Sequence, residues 1–257
     1  MKLTTLFSGS HGNCTLVQHG STNILVDAGF SFNTIASALK PLGIYPQDVD
    51  AILITHEHND HVSALARWTE HYETPIFAHQ KQLTCLPTKF PCGNFNFYTS
   101  GFEVKDIHVD FATCSHDSLY CTAYRFFDGK NHLAICTDTG VASKEIVNFL
   151  LPAQTVVVES NYDEGMLALG DYPPWLKQRI ASNHGHLSNA QCGKVIEQLL
   201  QHGKVKNVVL GHLSQNNNTK ELAFASALGV FQTNKVLEGK DVGLYVADQY
   251  QRGITLE

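Results

Sequence analysis

The chain has 257 residues, a net charge of −6 and a hydrophobic fraction of 43%, which is enough for a sizeable core and too high for a disordered chain. The acidic balance argues against a broad basic surface for nucleic acid, and no apolar run approaches the roughly 18 residues of a membrane span. The N-terminus lacks the form of a signal peptide, and seven cysteines without a C-x-x-C pair are typical of reduced thiols, so we expect a cytoplasmic protein without a membrane partner.

The first third of the chain alternates strands and helices. Its first three strands are joined by glycine-containing turns, a spacing typical of an antiparallel meander. The first helix stops at Gly43, and the apolar run before the first histidine cluster predicts a buried strand. Strands are predicted at residues 4–8, 14–19, 23–27, 51–55 and 75–78, and helices at residues 31–42 and 60–72.

The middle of the chain is a run of strands, and the last third returns to alternation. Strands are predicted at residues 95–98, 104–114, 121–127, 132–137, 155–159, 208–210 and 242–247, and helices at residues 143–150, 175–182, 189–201 and 219–228. Two halves of this kind indicate two sheets packed face to face with helices outside. We therefore expect an α/β (α+β) fold, a four-layer αββα sandwich, as one domain over residues 1–257.

The most informative segment is Thr-His-Glu-His-Asn-Asp-His at residues 55–61, directly after a buried strand. His56 and His58 alternate by two, so an extended chain can point both to one side. Asp60 and His61 come from the turn into the next helix and can face a second ion. Imidazole and carboxylate together suit Zn, Mn or Fe. The alternative is a solvated histidine-rich loop, which the spacing after an apolar strand disfavours.

Four more single polar residues follow apolar strands beside Gly, Ser or Thr. They are His116, Asp138, Glu159 and His212. Each alone is weak evidence, because an Asp after a strand is more often a turn or helix cap. Strand ends at one edge of a sandwich converge in space, so together they are expected to meet the first loop.

These motifs resemble those of the metallo-β-lactamase superfamily, whose H-x-H-x-D-H signature matches residues 55–61. The resemblance implies two divalent ions, Zn or Mn, with Fe as a further option. It assigns the ligands by position: His56, His58 and His116 to the first ion, Asp60, His61 and His212 to the second, and Asp138 as the bridge. The Asp at the bridging position, where lactamases usually carry Cys, points to the phosphodiesterase branches.

A closer resemblance is to the bacterial YycJ/WalJ group, relatives of tRNase Z. It rests on residues 8–15, 26–29, 159–163, 185–189 and 211–217. This resemblance implies a nucleic-acid phosphodiesterase, a 5′-to-3′ exonuclease on double-stranded DNA, that uses metal-activated hydroxide. It also implies that Asp60 orients the hydroxide and that Glu159 and His186 act as a proton-donating pair. His186 as a structural histidine is the alternative.

Weaker expectations concern contacts with the substrate. Ser8, Ser10 and Asn13 lie in a Gly-rich turn whose backbone N–H groups can approach an anion, although a plain hairpin turn fits equally. Asn216 is expected to contact substrate or to cap the following helix.

Three other functions remain open from the sequence. One is hydrolysis of a small phosphodiester, such as a cyclic nucleotide or cyclic phosphate, which the acidic composition favours. Another is a thioester or lactam hydrolase of the same fold. The third is a non-catalytic metal-binding protein, against which the complete ligand set counts. Oligomeric state is left undefined.

Overall fold

The computed structural model describes all 257 residues and arranges the strands in two seven-stranded sheets. The first sheet has the order β14-β1-β2-β3-β4-β5-β6, and the second the order β13-β12-β11-β10-β9-β8-β7. The strands are β1 (Lys2–Phe7), β2 (Cys14–His19), β3 (Thr22–Val26), β4 (Ala51–Leu53), β5 (Ile76–His79), β6 (Phe95–Tyr98), β7 (Phe102–Val104), β8 (Ile107–Cys114), β9 (Cys121–Phe127), β10 (His132–Cys136), β11 (Thr155–Glu159), β12 (Asn207–Gly211), β13 (Gly243–Val246) and β14 (Thr255–Leu256).

Each sheet joins an antiparallel part to a parallel part. In the first sheet β1, β2 and β3 pair antiparallel, which confirms the predicted meander, and β3 to β6 pair parallel. In the second sheet β7 to β10 are antiparallel and β10 to β13 parallel. Parallel neighbours bring their carboxyl ends to one edge, and this edge carries the polar residues that follow β4, β10, β11 and β12.

The helices cover the outer face of each sheet. They are α1 (Phe32–Leu39), α2 (Asn59–Val62), α3 (Leu65–His71), α4 (Leu86–Lys89), α5 (Lys144–Leu150), α6 (Glu164–Leu169), α7 (Pro174–Ile180), α8 (Asn189–His202) and α9 (Lys220–Thr233), with short 3-10 turns at Lys40–Leu42, Pro46–Asp48 and Gln80–Gln82. None of the helices is long and apolar enough to cross a membrane.

Three apolar layers hold the sandwich together. Val17 and Phe126 belong to a cluster between the two sheets. Trp68 of α3 belongs to a second cluster beneath the first sheet, and Ile196 and Phe231 of α8 and α9 belong to a third beneath the second sheet. A helix layer, two sheets and a second helix layer confirm the predicted αββα sandwich.

Local sequence signals set the ends of α8. Ser188 and Gln191 form a capping box, in which each side chain accepts the other's backbone N–H. Gly203 ends the helix at φ 77°, a left-handed conformation that glycine adopts without steric cost. The predicted stop at Gly203 is therefore confirmed.

Two predicted elements are broken in the structure. The helix predicted at residues 60–72 is two helices, α2 and α3, because the backbone N–H of Ala64 donates to the carbonyl of Ala28 at 2.8 Å. The strand predicted at residues 104–114 is a hairpin of β7 and β8 that turns at Lys105, with φ 53°. The short elements α4, α6 and β14 were not predicted, and α9 extends beyond the predicted end to Thr233.

Candidate metal centre

The predicted ligands meet at one edge of the sandwich, where strands of both sheets end. His56, His58 and His116 form one group, and Asp60, His61 and His212 form another. Within each group the ligand atoms lie within 4.8 Å of one another. The residues after β4 come from the first sheet, and His116 and His212 come from the second. The centre therefore lies across the seam between the sheets.

Asp138 lies between the two groups. Its Oδ2 is 3.4 Å from Nε2 of His61, and its Oδ1 is 3.9 Å from Nε2 of His116. Oδ1 is also 3.3 Å from Nδ1 of His212. The side chain is 2% exposed, so water has little access to this carboxylate. The carboxylate therefore lies within 4 Å of histidines from both groups, as a bridging ligand requires.

Three of the five proposed ligand histidines share one orientation. Nδ1 of His61 is 2.8 Å from Asp27, Nδ1 of His116 is 3.1 Å from the carbonyl of Gly185, and Nδ1 of His212 is 2.8 Å from Glu159. A metal-ligating histidine usually donates its other ring N–H to such an acceptor, which fixes the ring and its tautomer. In each ring Nε2 is the nitrogen left to face the centre.

Several buried atoms of the centre have no hydrogen-bond partner in the protein. They are Nε2 of His56, Nε2 of His212 and Oδ2 of Asp138. Buried polar atoms without partners are rare, because leaving them unpaired costs free energy. Lone pairs of imidazole and carboxylate that converge in this way fit divalent metal ions.

Asp27, which was not among the predicted site residues, supports the histidine loop from below. Its carboxylate accepts the backbone N–H of Thr55 at 2.8 Å and the Thr55 hydroxyl at 2.9 Å, besides contacting His61. The motif at residues 26–29 was visible in the sequence. Its contact with a loop about 30 residues away depends on the tertiary structure, so spacing alone did not reveal it.

Gly29 allows the two loops of the first sheet to touch. A Cβ at Gly29 would lie 1.6 Å from the carbonyl oxygen of Asp60. The neighbouring Ala28 donates to the carbonyl of His61 at 2.8 Å, and Asn13 donates its backbone N–H to the carbonyl of Asp60 at 2.8 Å. Residues 26–29 therefore pack against the loop that carries the proposed ligands and hold it in place.

Glu159 is fully buried and links two histidines. Its Oε1 is 2.7 Å from Nδ1 of His186 and 2.8 Å from Nδ1 of His212. Its Oε2 accepts the backbone N–H groups of Thr139 at 2.9 Å and Leu187 at 3.2 Å. His186 is 19% exposed, so it reaches solvent while Glu159 does not.

A histidine of the first ligand group and a histidine of the second differ in the direction of their pKa shifts. Burial, joined by neighbouring imidazoles, lowers the pKa of His56 well below its usual range. Burial alone would lower the pKa of His212, but Asp138, Asp60 and Glu159 outweigh burial and raise that pKa to about 10. Without ions, therefore, the His56 ring is neutral near pH 7, whereas the His212 ring is protonated.

Three site residues have left-handed backbones. Asp27, Asp138 and His212 have φ angles of 61°, 57° and 54°, although none is a glycine. Such conformations are uncommon, with Asp, Asn and His enriched among the residues that adopt them. Strained backbone of this kind clusters at functional sites. Each of the three directs a strand-end side chain into the centre.

Comparison with protein families agrees with the geometry of this centre. The model for the metallo-beta-lactamase superfamily matches residues 8–179, which include six of the seven predicted ligands. The chain belongs to the metallo-β-lactamase superfamily. It is accordingly a metal-dependent hydrolase.

Two relatives within this superfamily are similar to the chain over almost its whole length. The chain is 33% identical to "Exodeoxyribonuclease WalJ" of Streptococcus pneumoniae, over 95% of this chain and 93% of that protein. It is 34% identical to "Exodeoxyribonuclease YycJ" of Bacillus anthracis, over 95% of this chain and 92% of that protein. These two relatives confirm the resemblance to the YycJ/WalJ group and support a metallo-hydrolase nuclease.

Solved structures confirm the superfamily fold. The metallo-beta-lactamase fold protein YhfI from Bacillus subtilis superposes with a TM-score of 0.76 at 16% identity, covering 99% of this chain and 98% of that one. The short form of human tRNase Z superposes with a TM-score of 0.65 at 13% identity, covering 99% of each chain. At these identities the likeness concerns the fold alone.

The four residues expected to contact substrate lie in two different environments. Ser8 and Asn13 are buried. Oγ of Ser8 accepts the backbone N–H of His212 at 2.8 Å, and the Asn13 amide is 3.1 Å from Nε2 of His61. Both thus contact residues of the proposed metal centre, and their contact with substrate stays a prediction. Ser10 and Asn216 are exposed, and the Asn216 amide donates to the hydroxyl of Tyr172 at 2.7 Å.

Proposed function

We propose that this chain is a dinuclear metal-dependent exonuclease that degrades double-stranded DNA from 5′ ends, with residues 1–257 acting as one hydrolase domain. The observation that carries the proposal is the likeness, over 95% of the chain, to two proteins named exodeoxyribonuclease. The ligand geometry supports it because both groups and the carboxylate between them are present.

The proposed ligand assignment follows the two groups. His56, His58 and His116 would hold the first ion, and Asp60, His61 and His212 would hold the second. Asp138 is proposed to contact both ions. When bound, two such ions would offset phosphate charge and lower the pKa of a coordinated water, as Zn, Mn or Fe does at two-metal sites.

Asp60 is suited to orient the attacking oxygen. Its Oδ2 lies 3.4 Å from Nε2 of His61 and 3.8 Å from Nε2 of His212, and its side chain is 27% exposed. Burial alone would raise the pKa of Asp60, but His61 and His212 outweigh burial and lower it. The group therefore stays a carboxylate, which accepts a proton in a hydrogen bond and does not donate one.

His186 is suited to protonate the leaving sugar oxygen. It lies at the solvent-accessible side of the centre, its ring centre 5.1 Å from that of His116. The contact with the Glu159 carboxylate holds Nδ1 and leaves Nε2 as the ring nitrogen free to pass a proton to the leaving oxygen. Burial alone would raise the pKa of Glu159, but His186 and His212 outweigh burial and lower it, so the carboxylate stays charged.

A second candidate is hydrolysis of a small phosphodiester. The observation that favours it is that three basic side chains near the centre already contact other side chains of the protein. Arg179 donates to Asp117 at 2.5 Å, Lys89 donates to Asn59 at 2.7 Å, and Lys220 pairs with Asp248. A long nucleic acid is usually held by free Lys and Arg side chains on its phosphates.

The test is degradation of end-labelled duplex DNA, single-stranded DNA and RNA by protein that has been stripped of metal and refilled with Mn or Zn. Parallel assays use bis-p-nitrophenyl phosphate. The expected result is stepwise loss of nucleotides from 5′-labelled duplex ends. The metal that restores this activity would be identified as the working ion. Turnover of the small ester without cleavage of any polymer would favour the second candidate. Failure with every phosphodiester at full metal content would contradict both and favour a thioester or lactam hydrolase.

A further inference from the structure

Helices α6 and α7, with the turn between them, border the metal centre on two sides. On one side, the hydroxyl of Tyr172 in this turn accepts from the side-chain amide of Asn216 at 2.7 Å, in the loop after β12 that carries a second-group ligand. On the other side, Arg179 of α7 donates to Asp117 at 2.5 Å, and Asp117 directly follows His116. The helix pair therefore connects a loop of each ligand group.

Trp175 stands on the face of α7 that carries Arg179. Residues four apart on a helix are neighbours on one face, with Cβ atoms about 5–6 Å apart. The partner of Arg179 is Asp117, whose Oδ1 lies 3.4 Å from Nε2 of His116, the ring nitrogen that faces the centre. Trp175 is thus one helical turn from a side chain that reaches the edge of the first ligand group.

The indole of Trp175 is exposed to an unusual degree for this residue type. Trp175 is 66% exposed, whereas Trp68, the other tryptophan of the chain, is fully buried. Tryptophan is highly buried on average, because its large apolar surface is unfavourable in water. An exposed ring beside a site for nucleic acid offers a face on which a base of any kind can stack.

The charge of α7 favours a nucleic acid as the occupant of this surface. The helix carries two basic residues, Lys177 and Arg179, and no acidic one, on a chain whose net charge is −6. One acid, Asp171, lies in the turn before it. The Lys177 ammonium donates to the carbonyl of Ala168 at 2.8 Å, a neutral partner that leaves its positive charge uncancelled. Such a charge attracts phosphates to this side of the centre.

We propose that Trp175 stacks on an unpaired base of the DNA strand that enters the centre, with the Lys177 ammonium near the backbone of the same strand. This inference rests on the proposed function for the identity of the ligand, and it deepens that function by naming a residue that holds the strand. Stacking needs no cleavage, so it is measured apart from turnover.

Tryptophan fluorescence reports on this contact directly, because Trp175 is the only one of the two tryptophans that reaches solvent. A single-stranded DNA oligonucleotide with phosphorothioate linkages, which resist hydrolysis, is titrated into the metal-loaded protein. We expect the oligonucleotide to quench the emission of Trp175. The Trp175→Phe variant, which retains only Trp68, is the control in which no quenching is expected.

The affinity of the same oligonucleotide, labelled at its 3′ end, is measured by fluorescence anisotropy. Trp175→Ala is expected to weaken binding about tenfold, the scale of one base–aromatic stack, and Trp175→Phe to keep most of the affinity. Tyr45→Ala is the matched control, since Tyr45 is an exposed aromatic residue that precedes β4, whereas the ligand loop follows that strand. This variant is expected to bind as the parent protein does.

A set of oligonucleotides that each lack one base locates the stacked nucleotide. In the parent protein, removal of the base at one position is expected to reproduce the tenfold loss of affinity. In Trp175→Ala the same removal is expected to add nothing, because the two changes delete one interaction. Equal losses in both proteins at every position would contradict the stack.

The competing occupant of this surface is a second copy of the chain, because Leu169 at the end of α6 is 89% exposed. A dimer in sedimentation that dissociates in both Leu169→Ala and Trp175→Ala would overturn the proposal. Equal affinity of the parent protein and Trp175→Ala, without quenching at saturation, would overturn it as well.

The stacking site and the nuclease can fail separately. A parent protein that binds the oligonucleotide through Trp175 and degrades no DNA would contradict the nuclease and keep the stacking site. Degradation of DNA, with equal oligonucleotide affinity in the parent protein and Trp175→Ala, would contradict the stacking site alone. A parent protein that neither binds the oligonucleotide nor degrades DNA would contradict both.

Discussion

Oε1 of Glu159 accepts hydrogen bonds at almost equal distance from His186, at 2.7 Å, and from His212, at 2.8 Å. One buried carboxylate oxygen therefore serves a proposed metal ligand and a proposed proton donor together. Substituting Glu159 is expected to affect both, whereas substituting His186 separates them.

Glu159→Gln is expected to weaken binding of the second ion by about 10- to 100-fold, the usual effect of removing a carboxylate that orients a ligand histidine. Turnover should fall as well, because His186 loses the carboxylate that holds its ring in place. Metal affinity is measured by competition with a chromophoric chelator, with Glu238→Gln on the exposed surface as the control. Parent-like affinity would contradict the orienting role.

His186→Ala is expected to keep both ions and to slow turnover by about a hundredfold or more, the scale of general acid catalysis. The comparison variant is His202→Ala, an exposed histidine at the end of α8. Metal content by mass spectrometry and turnover at saturating substrate give the two readouts. Loss of metal would make His186 a ligand.

Asp138→Ala is expected to lose metal and activity together, since one side chain is proposed to serve both ions. The backbone here has φ 57°, so Asp138→Asn is the companion variant that tolerates the conformation. Asp171→Ala on the surface is the control. Two retained metals and a full rate in the Ala variant would refute the bridging assignment.

Gly29→Ala is expected to destabilise the protein by about 3 kcal/mol or more, because the added methyl group would meet the Asp60 carbonyl at 1.6 Å and overpacking against backbone has no easy relaxation. Gly229→Ala lies within α9 with open space around its Cβ and is expected to stabilise by about 0.5–1 kcal/mol. Urea unfolding of ion-free protein compares them. Equal midpoints would contradict the packing argument.

Metal uptake is expected to depend on pH more strongly at the second group than at the first. The pKa of His212 is raised to about 10, so the ring is protonated below that pH and a bound ion must displace a proton; affinity therefore rises with pH. The pKa of His56 is lowered, so its ring is already neutral at pH 7. Calorimetry in buffers of different ionisation enthalpy measures the protons released. Equal release for both ions would contradict the asymmetry.

The sequence predicted what is encoded locally. The H-x-H-x-D-H segment and the strand-end ligands could be identified because ligand type and apolar runs are local patterns, and the structure brings these side chains together. The double contact of Glu159 and the support from Asp27 could not be predicted, since both depend on distances between segments far apart in the chain. Likewise, hydrophobic periodicity continued across Ala64, where a tertiary hydrogen bond to Ala28 interrupts the helix.

The position of the centre on the seam has a mechanical consequence. His56 and His61 follow a strand of the first sheet, whereas His116 and His212 follow strands of the second. With Asp138 reaching both groups, bound ions would link the two half-sandwiches, in addition to their apolar inner faces and hydrogen bonds such as the one from the backbone N–H of His212 to Ser8. Chelation would then loosen the joint between the sheets before either sheet loses its own hydrogen bonds, so amide exchange should rise first along β4 and β10.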